Sequence, residues 1–357
     1  MLRRAVFCIL VLAGFALTVE GQQPPQSNRS SESPPPRARR TARKPAKPPV
    51  STFVADSGGR ELIVRMLDVG QGDATYIRNG SSRIIIDGGP EPATFGRYLD
   101  SLNLNNSTID VVILSHPHLD HYSGLRELFR TSRHIRIRYL FENKDPAPAA
   151  TLAELRDSIL SRMDHDGLIY RDTDDPCSDG RPICTISMTG GAILHILPPF
   201  PNGDKPNNRS TAVKLVGPDS ASFTMWLAGD AEREEIRWFE ATGYARNPGM
   251  RVNVLKADHH GSCNGVTKRY LALTSPQWVV ASLATHNGYG HMHTQAKAIY
   301  RRARVPWYRT DRNGTITIRS PGIAGSGFTI TPERAGTDLD GMGDRKYRPT
   351  GCATTAR

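Results

Sequence analysis

The stretch Ser115–Leu125, SHPHLDHYSGL, concentrates three histidines and an aspartate within six residues. They are His116, His118, Asp120 and His121, and they follow the apolar run VVILS, which predicts a buried strand. Imidazole nitrogens and carboxylate oxygens are ligands suited to Zn²⁺, Mn²⁺ or Fe²⁺. Four such ligands around one ion would leave no coordination position open. We therefore expect them to be divided between two ions, with further ligands from other parts of the chain.

Two later strand ends supply further candidates. Asp230 ends the strand of WLAGD and is predicted to bridge two metal ions, a role compatible with capping the helix that follows. His259 and His260 end another strand, and we expect one of them to bind metal while the other faces substrate or supports a ligand. The sequence does not choose between the two. Two ions about 3.5–4 Å apart would hold a hydroxide and polarise the group under attack.

The loop THNGYGHMHTQ carries another candidate, His291. Gly288 and Gly290 permit close approach of the backbone to a metal centre, and a helix is predicted from about Thr294. Three roles for His291 remain open. It is a general acid that protonates the leaving oxygen, a metal ligand, or a loop histidine bonded to a carbonyl.

The elements that must position these groups are visible in the apolar pattern. IIIDGG and VVILS are continuous apolar runs of the kind buried on both faces of a sheet, and RNGSS between alternating segments predicts a hairpin. MWLAGD and VNVLKADHH repeat the order of strand and polar cluster, and helices are predicted after the clusters, one of them beginning at GLRELFR. WYRTDRNGTITIRS and GFTITPE predict a closing hairpin. Chemistry at strand ends is typical of open α/β sheets.

The N-terminal fifty residues differ in composition from the rest. Residues 1–21 carry two arginines, an apolar stretch and small residues, the pattern of a secretory signal peptide; the alternative is an uncleaved membrane anchor, for which the stretch is short. Residues 22–50 are rich in proline, serine and arginine, and predict a disordered linker. We expect an exported protein, periplasmic or extracellular, with a hydrolase domain at residues 51–333 and a flexible tail at residues 334–357.

Charge and cysteine content add little constraint on function. Residues 1–50 hold nine Lys and Arg against two Asp and Glu, which accounts for most of the formal net charge of +11. The remaining domain is mildly basic, so it accepts a polyanionic substrate without requiring one. Cys177 and Cys184 flank the turn-rich SDGRPI and, in an exported chain, predict a small disulfide loop.

HPHLDH resembles the HxHxDH signature of the metallo-β-lactamase superfamily. The wider resemblance, from about Leu62 to Ile318, is to the soluble hydrolase domain of ComEC-type competence proteins, which are DNA-uptake channels. The chain departs from that family in two respects: we expect no membrane channel in it, and Met292 stands where the family usually has proline. The segments that carry the resemblance, in order, are LDVGQGDATYI, IIIDGG, LSHPHLDHYSGL, WLAGDAEREE, VLKADHHGS and NGYGHMHTQ.

This resemblance implies an α/β fold, the αβ/βα four-layer sandwich of the superfamily, with a dinuclear centre. It implies two divalent metal ions, zinc with manganese as the alternative, and it implies that Asp87 of IIIDGG orients a ligand histidine. The expected substrate is nucleic acid or another phosphodiester, and no stable protein partner is implied. The predicted site has catalytic residues Asp120 and His291, substrate contacts Ser262 and Asn287, and metal ligands His116, His118, Asp120, His121, Asp230, His259 and His260.

Three functions compete at this point. The leading hypothesis is an exported phosphodiesterase or nuclease that uses a metal-bound hydroxide. The alternatives are a hydrolase of small esters, phosphorylcholine or lactams on the same scaffold, and a non-catalytic binding protein with a vestigial metal site. His195 stands about where lactam-hydrolysing relatives have a further zinc ligand, but its apolar neighbours favour a packed, hydrogen-bonded histidine.

Overall fold

The computed structural model describes residues 59–146 and 149–341. The predicted signal peptide, the predicted linker and the chain beyond residue 341 lie outside these ranges. Fifteen strands occur in the described part. In chain order they are β1 (Leu62–Met66), β2 (Thr75–Asn79), β3 (Ser82–Ile86), β4 (Thr108–Ile113), β5 (Arg136–Glu142), β6 (Ile169–Asp172), β7 (Cys184–Ser187), β8 (Ile193–Leu197), β9 (Ala212–Val216), β10 (Thr224–Leu227), β11 (Val254–Lys256), β12 (Trp278–Ala281), β13 (Trp307–Arg309), β14 (Ile316–Ser320) and β15 (Thr329–Pro332).

Seven α-helices connect these strands within the described ranges, together with four 3₁₀ turns. No helix in these ranges is long and apolar enough to cross a membrane. The helices are α1 (Pro92–Ser101), α2 (Leu119–Tyr122), α3 (Ala150–Asp166), α4 (Arg233–Ala241), α5 (Lys268–Thr274), α6 (Thr294–Arg302) and α7 (Thr310–Asn313). The 3₁₀ turns are Ser123–Phe129, Thr131–Arg133, Pro206–Arg209 and Asp258–Gly261.

The described strands form two mixed sheets. The first has the order β15-β14-β1-β2-β3-β4-β5-β6, and the second has the order β13-β12-β11-β10-β9-β8-β7. Strands β3 to β6 run parallel to one another, as do β10 to β13. The carboxyl ends of parallel strands lie at the same edge of a sheet. The loops that follow β3 and β4 in one sheet, and β10, β11 and β12 in the other, are therefore placed to build a site.

Three apolar clusters separate the layers. One lies between the two sheets, and β10 shows how the alternation of a strand divides its side chains: Met225 and Leu227 belong to that cluster, whereas Trp226 points the other way. The second cluster packs α1 and α3 against the first sheet, and the third packs α4, α5 and α6 against the second sheet. The fold is mixed α/β with two sheets, consistent with the predicted αβ/βα four-layer sandwich.

Several local predictions can be compared with the structure. RNGSS forms the predicted hairpin, with Asn79 opposite Ser82 in the β2–β3 pair. The predicted helix at GLRELFR is instead a 3₁₀ turn, Ser123–Phe129. The closing hairpin is formed by β14 and β15 alone, because Trp307–Arg309 joins the other sheet as β13, parallel to β12. The placement of Trp307–Arg309 reflects tertiary strand pairing that the local pattern does not encode.

The Cys177–Cys184 disulfide is confirmed, with the two Cα atoms 5.4 Å apart. Residues 334–341, at the start of the predicted tail, are bonded to the domain. Lys297 donates to the carbonyl of Asp340, and Arg309 donates to the carbonyl of Leu339. Cations buried in the domain therefore hold this segment in place.

Candidate metal centre

The strand-end loops bring most of the predicted ligands to one place. His116 lies three residues after β4, and the short helix α2 then presents Asp120 and His121. Asp230 lies three residues after β10, and His260 lies in the 3₁₀ turn that follows β11. All of these side chains are buried except that of Asp120, which is 27% exposed. The two sheets thus contribute opposite walls of one centre.

Four of the predicted ligands form a compact group, which we call the four-donor group: Asp120, His121, Asp230 and His260. Oδ1 of Asp230 lies 3.4 Å from Nε2 of His121, and its Oδ2 lies 3.2 Å from Nε2 of His260. Oδ2 of Asp120 lies 3.3 Å from the same Nε2 of His260. One ligand atom from each of the four residues lies within 4.8 Å of every other. This spacing allows all four residues to bind one ion.

The orientation of the two imidazoles fits a metal ion. Nδ1 of His260 donates to the carbonyl of Ser282 at 2.8 Å, and Nδ1 of His121 lies 2.9 Å from Oδ2 of Asp87. The Nε2 atoms of both rings are buried and have no well-formed hydrogen bond within the described residues. Ligand histidines in metal sites commonly bond through one ring nitrogen to a carboxylate or carbonyl. The donor set therefore fits a divalent ion such as Zn²⁺ or Mn²⁺.

Asp87 holds the loop after β4, part of the first wall, in position. It directly follows β3, and its backbone lies in the left-handed region with φ of 58°. Its Oδ1 accepts from the Ser115 backbone N–H and its Oδ2 accepts from the Ser115 hydroxyl, each at 2.8 Å. The carboxylate thus ties the β4 loop to the ring of His121. This geometry agrees with the orienting role that the resemblance implies for Asp87, which stays a prediction.

His116 and His118 are less clearly arranged for a second ion. Nε2 of His116 lies 3.0 Å from Nδ1 of His118 and 4.0 Å from Oδ2 of Asp230. Neither histidine belongs to the four-donor group. Two imidazoles with the shared Asp230 carboxylate are nevertheless appropriate ligands for a second ion, and their predicted role as ligands remains a prediction.

His259 and His260, which the sequence did not distinguish, occupy different environments. His260 is 1% exposed and belongs to the four-donor group. The side chain of His259 is 21% exposed, its Nε2 lies 3.8 Å from Oδ2 of Asp230, and its Nδ1 lies 3.2 Å from Glu232. The geometry favours His260 as the ligand and places His259 at the rim, where a substrate would approach.

His291 lies against the histidines of the second wall. The centre of its ring is 5.2 Å from that of His259 and 5.8 Å from that of His260. Its Nδ1 is buried without a hydrogen-bond partner in the described residues, which speaks against the loop histidine bonded to a carbonyl through that atom. Burial, followed by His260 and His259, lowers the pKa of His291 to about 2. A neutral ring is the form that binds metal, whereas a general acid needs the proton, so this shift favours the ligand role, and the metal content of a His291→Ala variant distinguishes the two.

For Ser262 and Asn287 the structure indicates a different role from the predicted substrate contact. Asn287 is 2% exposed, and its side chain bonds to the backbone N–H and carbonyl of His291 and to the carbonyl of Ala284. Ser262 is 4% exposed, with its hydroxyl 3.4 Å from Nδ1 of His293. Both side chains are used inside the loop structure. They shape the loop that carries His291 instead of facing the opening.

His195 stands apart from the centre. It is half-buried on β8, and its Nδ1 lies 3.1 Å from the hydroxyl of Thr185. It does not belong to the four-donor group. The geometry agrees with a packed, hydrogen-bonded histidine.

The carboxylates and imidazoles of the four-donor group perturb one another strongly. Burial would raise the pKa of Asp230, but His260 and His121 lower it well below its usual range. Burial lowers the pKa of an imidazole, yet Asp230 and Asp73 raise the pKa of His260 well above its usual range. The metal-free protein therefore holds protons between these groups. A divalent ion that binds there has to displace them, so metal binding releases protons.

Two buried charges near the centre were missed by the sequence reasoning. Asp73 follows LDVGQG, and Lys256 ends the strand β11; both lie in motifs that carried the family resemblance without being assigned a role. Nζ of Lys256 forms an ion pair with Asp73 and lies 3.5 Å from Oδ1 of Asp230. Burial would raise the pKa of Asp73, but Lys256 and His260 lower it to about 2. A lysine inside the apolar run VNVLKA was the available signal.

The two-sheet fold and the donor set are consistent with the metallo-beta-lactamase fold and with a divalent metal site. The family model of the metallo-beta-lactamase superfamily matches residues 67–214, which include the HPHLDH cluster. This part of the chain is therefore similar to the metallo-beta-lactamase superfamily, and the resemblance predicted from the six motifs is confirmed.

Two curated relatives are similar to most of the chain. ComE operon protein 3 of Bacillus subtilis (strain 168) is 24% identical over 309 residues, which cover 80% of this chain and 36% of that protein. Uncharacterized protein YcaI of Escherichia coli (strain K12) is 24% identical over 262 residues, which cover 72% of this chain and 30% of that protein. The chain spans about a third of the length of these relatives.

One solved structure that aligns with the chain is the metallo-beta-lactamase fold protein YhfI from Bacillus subtilis. The alignment has a TM-score of 0.41 and 13% sequence identity, and it covers 69% of this chain and 96% of that protein.

Proposed function

We propose that this protein is a metal-dependent phosphodiesterase that cleaves nucleic acid. The observation that carries the proposal is the four-donor group, a buried cluster of two imidazoles and two carboxylates whose partly exposed member, Asp120, opens it to the surface. The group is charged and buried, and Asp120 is its only partly exposed member. A phosphodiester carries a negative charge that a divalent ion and nearby imidazoles would attract.

The chain's own residues account for binding and proton movement in this proposal. Divalent ions held by the predicted ligands, with Asp230 shared between them, would supply Lewis-acid activation of water and of the phosphoryl group. Asp230 lies between the histidines of both walls and would hold a bound ion together with them. Asp120 offers its exposed side as a base toward water. We assign contact with the anionic diester or its leaving oxygen to the partly exposed His259 and to the buried His291 beside it.

Support for a diester over a lactam or small ester comes from the order of motifs along the chain. The six segments follow the pattern of ComEC-type hydrolase domains, and ComE operon protein 3 aligns over 80% of this chain. The alternative of a non-catalytic binding protein has less support, because the predicted metal ligands are all present in the sequence.

The test is a substrate panel run with metal analysis. Purified protein loaded with Zn²⁺ or Mn²⁺ is offered single-stranded DNA, bis-p-nitrophenyl phosphate and nitrocefin. We expect turnover of both diesters, none of nitrocefin, and metal bound at about two ions per chain. Asp179→Ala is a matched control for the variants Asp120→Ala and Asp230→Ala, because Asp179 is exposed and pairs with Arg181. Hydrolysis of nitrocefin alone would favour a lactamase, and a metal-free inactive protein would favour a binding role.

We further propose that the protein is exported. Support comes from the sequence pattern of residues 1–21, two arginines followed by an apolar stretch and small residues. Expression with a C-terminal tag in a bacterial host, followed by mass determination of the periplasmic and cytoplasmic pools, tests this. Export predicts a shortened chain in the periplasmic pool. Full-length protein held in the membrane fraction would support the anchor alternative.

A further inference from the structure

Lys256 is a buried cation with no access to substrate. The residue is 1% exposed, although lysine is rarely buried unless paired. Its ammonium group has three N–H donors and meets three oxygens: Asp73, Oδ1 of Asp230 at 3.5 Å, and the carbonyl of Gly229. The ammonium group thus joins the loop before β2 to the loop after β10.

Asp73, the partner of Lys256, lies behind both histidines of the four-donor group. Its Oδ2 is 3.9 Å from Nδ1 of His121, and its Oδ1 is 3.6 Å from Nδ1 of His260. These are the ring atoms that point away from Asp230. Asp73 is 4% exposed, so its charge acts on the two rings with little screening by water.

The backbone of the Asp73 loop also reaches the remaining donor. The N–H of Asp73 donates to the carbonyl of Asp120 at 3.2 Å. Gly72 permits this approach, because a Cβ there would lie 2.2 Å from the same carbonyl oxygen. One short loop thereby contacts Asp120 through its backbone and faces His121 and His260 with its carboxylate. Through Lys256 it also contacts Asp230.

We propose that Asp73 and Lys256 act as a positioning pair that preassembles the four-donor group before metal binds. Four carboxylates, those of Asp73, Asp87, Asp120 and Asp230, crowd this buried space, and Lys256 offsets part of their repulsion. It also restrains Oδ1 of Asp230, leaving Oδ2 directed to His260. Because Lys256 is enclosed, it acts through Asp230 and not on substrate. The inference concerns metal binding and does not depend on which ester is hydrolysed.

The test measures Zn²⁺ affinity by chelator competition, and the melting temperature of the metal-free protein, for Lys256→Met, Asp73→Asn and the double variant. We expect each single variant to weaken Zn²⁺ binding by roughly 10–100-fold, as supporting groups in metal sites do. The double variant should lose about as much as either single variant, because residues in contact that act as one unit are not additive.

Lys214→Met is the matched control. Lys214 is 7% exposed, but it donates to the carbonyls of Pro248 and Gly249 and touches no predicted ligand. Its loss should lower the melting temperature and leave Zn²⁺ affinity unchanged. Wild-type Zn²⁺ affinity in folded Lys256→Met or Asp73→Asn would overturn the proposal, as would additive losses in the double variant. If Lys256→Met does not fold, Asp73→Asn alone decides between the outcomes.

Discussion

The four-donor group and the His116–His118 pair differ in how they are supported. In the group, His121 and His260 each bond outward through Nδ1, to Asp87 and to the carbonyl of Ser282, and turn Nε2 toward Asp230. In the pair, the two rings contact each other, with Nε2 of His116 3.0 Å from Nδ1 of His118. Both places offer imidazole ligands, and in the four-donor group the outward bonds through Nδ1 fix the orientation of the rings.

This difference shows which contacts turn a cluster of potential ligands into a metal-binding site. Buried carboxylates and a buried lysine, contributed by loops distant in sequence, determine where the imidazoles of the four-donor group point. His116 has a smaller set of partners, among them the Ser115 hydroxyl at 3.1 Å from its Nδ1. We therefore expect variants of the four-donor group to have larger effects on metal binding than variants at the rim.

The largest effect is expected at Asp230, whose carboxylate lies near both the histidines of the four-donor group and His116. Asp230→Ala removes the carboxylate that lies between His116, His121 and His260, and Asp120→Ala removes a second donor. Both variants should abolish hydrolysis while the fold stays intact, because each removes charge from the centre. The measurements are turnover of bis-p-nitrophenyl phosphate, metal content by elemental analysis, and circular dichroism. An active Asp230→Ala enzyme with full metal content would contradict the bridging role.

Much of the site could be predicted from sequence because its ligands follow strand ends. His116, Asp230 and His260 each come three or four residues after a strand ends, and parallel strands bring their carboxyl ends to one edge. The apolar alternation likewise predicted most of the strands that carry them. Secondary structure and ligand identity are local properties, and local pattern contains them.

The rest depended on tertiary contacts. Lys256 was not assigned a role because its burial depends on the ion pair with Asp73. Asp73 lies in the loop before β2, which belongs to the other sheet. Asn287 was assigned to substrate because its use inside the His291 loop requires the loop's fold. WYR was assigned to the closing hairpin because pairing with β12 is non-local. Burial and partner choice are set by the assembled layers.

The next largest effect is expected at His291, whose ring lies beside those of His259 and His260. If His291 is the general acid, His291→Ala should keep both metals and lose roughly 10²–10⁴-fold in turnover. If it is a ligand, the variant should lose metal. His134→Ala is a suitable control, because His134 lies on the exposed 3₁₀ segment after α2. Near-wild-type turnover would remove His291 from the mechanism and favour the loop role.

Variants of His260 and His259 compare the buried four-donor group with its partly exposed rim. His260→Ala removes a buried donor and should weaken metal binding by more than about 10²-fold, beyond the usual effect of a supporting group. His259→Ala removes a partly exposed ring and should leave metal affinity near wild type while raising KM. Chelator competition and steady-state kinetics on both variants measure the contrast. Equal losses of metal affinity would show that the rim histidine is also a ligand.

The smallest effect on the centre is expected from the Cys177–Cys184 disulfide, which lies far from it in sheet order. Cys184 begins β7, the edge strand that two other strands separate from β10. The bridge closes a short loop, so Cys177→Ser with Cys184→Ser should cost about 2–3 kcal/mol of unfolding free energy, since a short loop constrains the unfolded chain modestly. Metal affinity should not change. Calorimetry of the double variant measures the first quantity and chelator competition the second. A loss of metal affinity with little loss of stability would mean that the edge of the second sheet is coupled to the four-donor group, and that the centre is less self-contained than its local contacts indicate.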